Sequence, residues 1–327
     1  MVAAGDRGAV RTGRAWVAGL VVVLLWASAF PAIRVAAPAL GVAGLSLVRL
    51  ATAAIALLLV APFAHVRLPE RRQLPLVLAA AFAGMTAYQL LLNWGELHVP
   101  AGAASIIVAA APLVSVGTAA LTLGERLTAT QLVGSAVAIA GVAVVCLVRT
   151  GATVSTALWV VVGAAVVQGV YHPLTKPLLR TRSGLEVATY GQVAGTLMTM
   201  PLLPLGWHQL AAASGGAWVA AFYLGLLPSA VGFALWGYAV ARLPVASSTS
   251  LLYLVPPVTV LIAFVWLGER PRLFELLGGL VVIAGVLLVR RGAPTVAAEP
   301  SVRGVTGDDE RLRLVNLEAR AVPEVGR

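Results

Sequence analysis

Ten apolar runs dominate the hydrophobic pattern of the chain, each bounded by charged residues, glycine or proline. They cover residues 16–36, 43–64, 76–97, 101–123 and 129–148, then 157–178, 186–206, 217–240, 246–267 and 272–290. A helix of about 20 mostly apolar residues crosses the hydrocarbon core of a bilayer, so each run predicts a spanning helix. The fourth and ninth runs repeat one another. Pro100 to Arg126 reads PAGAASIIVAAAPLVSVGTAALTLGER, and Pro244 to Arg270 reads PVASSTSLLYLVPPVTVLIAFVWLGER. They align without a gap, Pro100 on Pro244, Pro112 on Pro256 and Gly124-Glu125-Arg126 on Gly268-Glu269-Arg270. Gly134 on Gly278 and Ala140-Gly141 on Ala284-Gly285 keep the same offset of 144 residues. A repeat of this length governs the fold reading. Five spans per half is an odd number, so the second half enters the membrane from the opposite side. The pattern predicts an all-α integral membrane protein, ten transmembrane helices in two inverted five-helix repeats. That architecture is used by secondary transporters, with the site near the midplane between repeats.

The expected divisions are an N-terminal cytoplasmic segment (1–15), a first repeat (16–148), a second repeat (157–290) and a disordered cytoplasmic tail (291–327). The tail turns polar at Pro294, Pro300, Asp308, Asp309 and Glu310, with one short helix expected near Asp308–Arg320. Composition agrees. The chain is 60% hydrophobic and 11% charged, with mean hydropathy +0.93, which excludes an ordinary soluble domain. Its formal charge of +10 raises nucleic acid as a partner. The arginines, however, sit singly or in pairs at the ends of apolar runs and form no binding face, so no nucleic acid is expected. They set orientation instead. With the N-terminus inside, the inner segments hold Arg7, Arg11, Arg14, Arg67, Arg71, Arg72, Arg126, Lys176, Arg180, Arg182, Arg242, Arg290 and Arg291. The outer ones hold Arg34, Arg149, Arg270 and Arg272, thirteen against four, and both termini are expected in the cytoplasm. Arg11, Arg14 and the Ala27-Ser28-Ala29 triplet resemble a cleaved leader, but the apolar run continues past Ala29 and nine more follow. The lone cysteine, Cys146, has no disulfide partner and reads as a small core residue. An Ala/Val/Gly/Arg-rich chain with one lysine points to a GC-rich bacterial source, and so to the bacterial cytoplasmic membrane.

Several short motifs carry a resemblance. They are Leu25-Trp26-Ala27-Ser28-Ala29-Phe30, Arg49, Leu123-Gly124-Glu125-Arg126-Leu127, Leu243-Pro244 and Leu267-Gly268-Glu269-Arg270. Over about residues 16–290 the chain resembles an EamA-type member of the drug/metabolite transporter superfamily. The doubled proline-helix-GER pattern is the specific part. The resemblance implies ten helices in two inverted halves, no bound cofactor, and export of small metabolites such as amino acids or amphipathic toxins.

Polar side chains inside a bilayer are expensive and ask for a reason. Arg49 lies about two turns into its span, where it either snorkels to the outer interface or points into a cavity and holds a carboxylate. Gln89, Asn93 and Glu96 share one face of the third span, the pattern of a cavity-lining helix. Glu96 is at a depth that permits pairing with Arg49; the alternative is an interfacial acid in water. The offset puts Val240 where Glu96 would recur, so symmetry did not place the acid. Gln168, Tyr171, His172 and Lys176 punctuate the sixth span, Tyr190 and Gln192 the seventh. His172 is a candidate proton-coupling group; a core histidine bonded to a neighbour is the plainer reading. His65, His98 and His208 are scattered in loops and build no metal site. Ser105 stands among small residues that allow close helix approach.

Trp26, Tyr88, Trp236 and Tyr253 lie deep enough to form a stacking surface for an amphipathic substrate, although packing is the commoner role of such residues. Trp207, Trp218 and Trp266 suit interfacial anchoring. Glu125 and Glu269 read as caps for the helix that follows each. Pro112 and Pro256 are expected to kink their spans. Substrate contacts are thus expected at Trp26, Arg49, Tyr88, Gln89, Asn93, Ser105, Gln168, Tyr171, Tyr190, Trp236 and Tyr253, with coupling at Glu96 and His172. Partners are a small molecule, the lipid bilayer and protons, with a second copy of the chain left open. An intramembrane enzyme is disfavoured because no aspartate lies between Asp6 and Asp308 and no span pairs two carboxylates. A transport-inactive scaffold is the remaining alternative.

Overall fold

The structure, a computed structural model, describes residues 3–123, 128–150, 155–240, 242 and 251–291. The first GER triplet, Leu243-Pro244 and the tail past Arg291 lie outside them, and with them the expectations placed there. All regular secondary structure among the described residues is helical, with no strand among them. A lone segment can enter hydrocarbon as a helix because the helix satisfies backbone N–H and C=O groups internally. Four helices among the described residues are long and apolar enough to cross a membrane: Gly13–Val60, Arg71–Glu96, Thr156–Leu179 and Gly215–Ala239. Shorter apolar helices cover Ala101–Ser115, Ala129–Val145, Leu252–Leu267 and Leu273–Leu288.

Helix α1 (Ala3–Val60) joins the first two apolar runs through one residue, Gly41, at φ 68° and ψ 165°. That positive φ suits glycine, and it replaces the loop expected there with a kink. A 3₁₀ turn (Arg71–Gln73), α2 (Leu74–Ala81), a π-helical segment (Phe82–Ala87) and α3 (Tyr88–Glu96) then follow without interruption. Next come α4 (Ala101–Val108), α5 (Ala111–Leu123) and α6 (Ala129–Thr150). Helix α7 (Thr156–Leu179) starts on Ser155, whose hydroxyl accepts from Ala157 N. Helix α8 (Gly184–Thr199) starts on a Ser183–Glu186 capping box. It continues through a 3₁₀ turn (Met200–Leu202) into α9 (Leu203–Ala212), so His208 is helical and not in a loop. Helix α10 (Gly215–Leu224), a second π segment (Gly225–Val231) and α11 (Gly232–Val240) precede α12 (Val255–Leu267) and α13 (Leu273–Arg291).

The irregularities come in pairs. Phe82–Ala87 and Gly225–Val231 are both π-helical and superpose, to within a residue, under the 144-residue offset. The α4–α5 break at residues 109–110 likewise matches the 3₁₀ turn Leu252–Leu254, and the helices restart at Ala111 and Val255. Pro112 and Pro256 therefore do not kink the middle of a helix, as expected, but sit in the first turn of one. There the missing N–H is dispensable, so the proline restarts the helix after a break one turn earlier.

Helices α6 and α13 meet backbone to backbone. A Cβ on Gly141 would lie 2.8 Å from Gly278 O, and one on Gly285 would lie 2.7 Å from Gly134 O. The two contacts exchange under the same offset. The largest buried cluster takes Ile33, Leu40 and Leu45 from α1, Ile107 from α4, Val161 from α7 and Leu224 from α10. Large apolar side chains such as Leu121, Val219 and Val265 point outward, the inverse of a soluble protein and the surface a lipid bilayer covers. At one end, Arg182 ties the chain together by ion pairs to Glu70 at 3.2 Å and Glu186 at 3.7 Å.

Gly141→Ala and Gly285→Ala should each separate α6 from α13, at about 1–3 kcal/mol for an overpacked contact. The expected result is a melting temperature in detergent lower by several degrees. Gly216→Ala, where a Cβ meets nothing within 4 Å, should leave it unchanged.

Candidate functional site

The paired breaks converge on one cavity of about 100 Å³. Four positions from each half line it under the 144-residue offset: Val108 with Leu252, Ala109 with Tyr253, Ala111 with Val255 and Pro112 with Pro256. Among the described residues the rest of the wall is not paired; the position that corresponds to Ser105, Thr249, lies outside them. Trp26, Phe30 and Arg49 come from α1, Tyr88 from α3, Ser105 from α4, Gln168 and His172 from α7, and Phe233 from α11. Seven of the residues expected at a site are thus together: Trp26, Arg49, Tyr88, Ser105, Gln168, His172 and Tyr253.

Arg49 is 4% exposed and does not snorkel. Its Nε donates to Ser229 Oγ at 3.0 Å, and its enclosed Nη1 has no hydrogen-bond partner. Trp26 Nε1 donates to Pro228 O at 3.0 Å. Both acceptors belong to the second π segment. A π turn shifts the backbone bonding register, and proline lacks the N–H that would close the usual ladder. The segment therefore exposes acceptors to side chains from α1. The Trp26 ring sits 5.3 Å from Phe233 and 5.5 Å from Trp236, both tilted. Nearby, the hydroxyls of Ser28 and Tyr223 are 2.5 Å apart, and Thr259 Oγ1 donates to Ala27 O at 3.1 Å. The His172 ring faces the Tyr171 ring at 5.4 Å, and no hydrogen bond to its nitrogens occurs among the described residues.

Other expected residues lie off the wall. Gln89, Asn93 and Glu96 do share one face of α3, but that face is packed inside the protein. Asn93 Nδ2 donates to Ser46 Oγ at 2.8 Å. Glu96 is fully buried, and no ion pair joins it to Arg49 among the described residues. Arg34 stands there instead: its Nη1 donates to Glu96 O at 2.6 Å and its Nε lies 3.4 Å from Glu269 Oε1. Glu269 was expected to cap the helix after it. The carboxylate at that helix start is Glu275, whose Oε2 accepts from Arg272 N at 3.2 Å. Glu269 follows Gly268, left-handed at φ 67°, and is spent on Arg34. Tyr171 packs with Leu50 and Met85 in a side core. Tyr190 donates to Arg67 O at the end tied by Arg182. Trp236 is off the wall, its ring packed against Trp26, which lines it.

Sequence reasoning missed Phe30, Phe233 and Ser229. Phe30 closes the Leu25–Phe30 motif, and Ser229 follows a mid-span proline, which was the available signal for it.

Comparison with known proteins bears on this geometry. Residues 13–147 and 155–291 each match the model of the EamA-like transporter family. The chain is 56% identical over 272 residues to the probable terminal-alkyne amino-acid exporter of Streptantibioticus cattleyicolor, covering 83% of this chain and 92% of that protein. It is 25% identical over 289 residues to the probable amino-acid metabolite efflux pump of Escherichia coli strain K12, covering 83% and 93%. A solved crystal structure superposes at TM-score 0.63 over 87% of this chain and 98% of that one, with 18% identity, a likeness of fold alone.

Trp26→Phe keeps the ring and removes the indole N–H, leaving Pro228 O without its donor. A loss of about 1 kcal/mol is expected, read as a lower melting temperature in detergent.

Proposed function

The chain belongs to the EamA-like transporter family, and from that premise we propose that it exports small amphipathic metabolites of the amino-acid class across the bacterial cytoplasmic membrane by alternating access. It is a transporter and not an enzyme. The observation that carries the proposal is the cavity wall built from four offset-related pairs of positions, one member from each half. Two inverted five-helix repeats, ten spans in all with both termini in the cytoplasm, account for that pairing. The paired π segments and the exchanged glycine contacts of α6 and α13 support the same arrangement. In this reading one half rocks against the other around a fixed site. Small residues at the meeting helices let them slide.

Trp26, Arg49, Tyr88, Ser105, Gln168 and Tyr253 contact the substrate at the wall. Gln89, Asn93, Tyr171, Tyr190 and Trp236 hold those residues from behind or come into play in another state of the cycle. Glu96 and His172 are the proposed proton-coupling groups. Glu96 is buried with neither carboxylate oxygen hydrogen-bonded, and His172 faces the cavity. The amino-acid class comes from the names of the two relatives, and protons and a second copy of the chain are the partners this reading admits.

Vesicles reconstituted with the protein and loaded with labelled L-norvaline or L-propargylglycine should release the label faster than protein-free vesicles. Arg49→Ala should slow release about tenfold or more, the loss of a charge-assisted hydrogen bond, and Asn93→Ala should slow it less. No flux from any loaded amino acid would leave the scaffold reading standing instead.

A further inference from the structure

The cavity selects more narrowly than an amphipathic pocket need do. Among the described residues that line the wall, Arg49 alone bears a permanent charge and none is a carboxylate. A guanidinium presents its N–H donors in a fixed fork. Here Ser229 Oγ holds one edge through Nε, and Nη1 is enclosed without a partner. A buried donor left unmet is costly. The group that meets it best is a planar anion with two oxygens. Glu96 is an electrostatic neighbour of Arg49, but no ion pair joins them among the described residues, and the nearby cation Arg34 lies against Glu96 at its carbonyl.

We propose that the free arm of Arg49 is the carboxylate anchor of the substrate and that Ser229 is its positioning residue. The cargo is then a compound with a carboxylate head and a short apolar tail, whether or not it also carries an ammonium group. The aromatic faces of Trp26, Phe30, Tyr88 and Phe233 receive the tail and tolerate variation in it. Ser229 acts through Arg49. By holding Nε on the π turn, it directs the rest of the fork at the cavity. This deepens the transport reading and rests on it for the word cargo.

The test uses three compounds with one five-carbon skeleton: L-norvaline, valerate, which lacks the ammonium, and L-norvalinamide, which lacks the carboxylate. Each is measured by thermal stabilisation of the purified full-length protein and by competition with efflux from vesicles. Norvaline and valerate should act at similar concentrations, and norvalinamide should need at least about tenfold more, the worth of a charge-assisted hydrogen bond. Arg49→Gln should erase the difference. Ser229→Ala should raise the norvaline concentration for half effect severalfold, and Ser229→Thr, which restores the hydroxyl, should recover it; a purely packing role for Ser229 would not show that rescue. Equal action of norvalinamide and norvaline on the wild-type protein overturns the proposal, a comparison that holds even if Arg49→Gln fails to fold. So does the absence of stabilisation by all three compounds. Carboxylate-selective binding without flux would overturn the transport reading and leave the anchor standing. Flux that ignores the carboxylate would do the reverse.

Discussion

Backbone polar groups inside hydrocarbon must find partners within the protein, at several kcal/mol for each that does not. That constraint organises the chain. It keeps the apolar runs helical, and it restricts where a helix can break. The π turns, the α4–α5 break and the Leu252–Leu254 turn occur at or beside the cavity wall, where neighbouring helices enclose them. A break facing lipid would strand its carbonyls. A break facing a protein cavity offers them for use, as Pro228 O is used by the Trp26 indole. The local disorder of the hydrogen-bond ladder and the candidate site are one feature.

The same low dielectric decides where charge can sit. Arg49 is tolerable because one edge of its fork is hydrogen-bonded and its side chain lines a cavity that a ligand can fill. Arg34 solves the problem differently, by spanning Glu96 O and Glu269 at the ends of α3 and α12. Ion pairs of this kind add little net stability once desolvation is counted. Their effect is to fix which ends meet, since Arg34 and Glu96 come from the first half and Glu269 from the second.

The repeat was legible in the sequence because proline and glycine mark backbone positions directly. Pro112 and Pro256 fixed the register of both restarts, though not their geometry. A π turn differs from an α turn by a fraction of a residue per turn, so a periodicity argument cannot see one. The rotation of α3 was equally hidden. Gln89, Asn93 and Glu96 do form one polar face, but the sequence could not tell that Ser46 of the adjoining arm would take that face while Tyr88, one residue away, reached the cavity. Ser229 is a small residue whose importance depends wholly on a partner 180 positions earlier.

Among the described residues, the offset relates the backbone of the wall and not its chemistry. Position 49 corresponds to Val193, position 26 to Val170 and position 168 to Leu24. The paired positions are aliphatic, proline or, once, tyrosine, while the cation, the indole, the amide and the imidazole are each unmatched. A fully symmetric wall would offer a ligand two equivalent poses, head toward either half. One guanidinium set on one side removes the second pose. The two halves can then exchange roles during the proposed alternation while the substrate keeps a single orientation, its charged end always on Arg49.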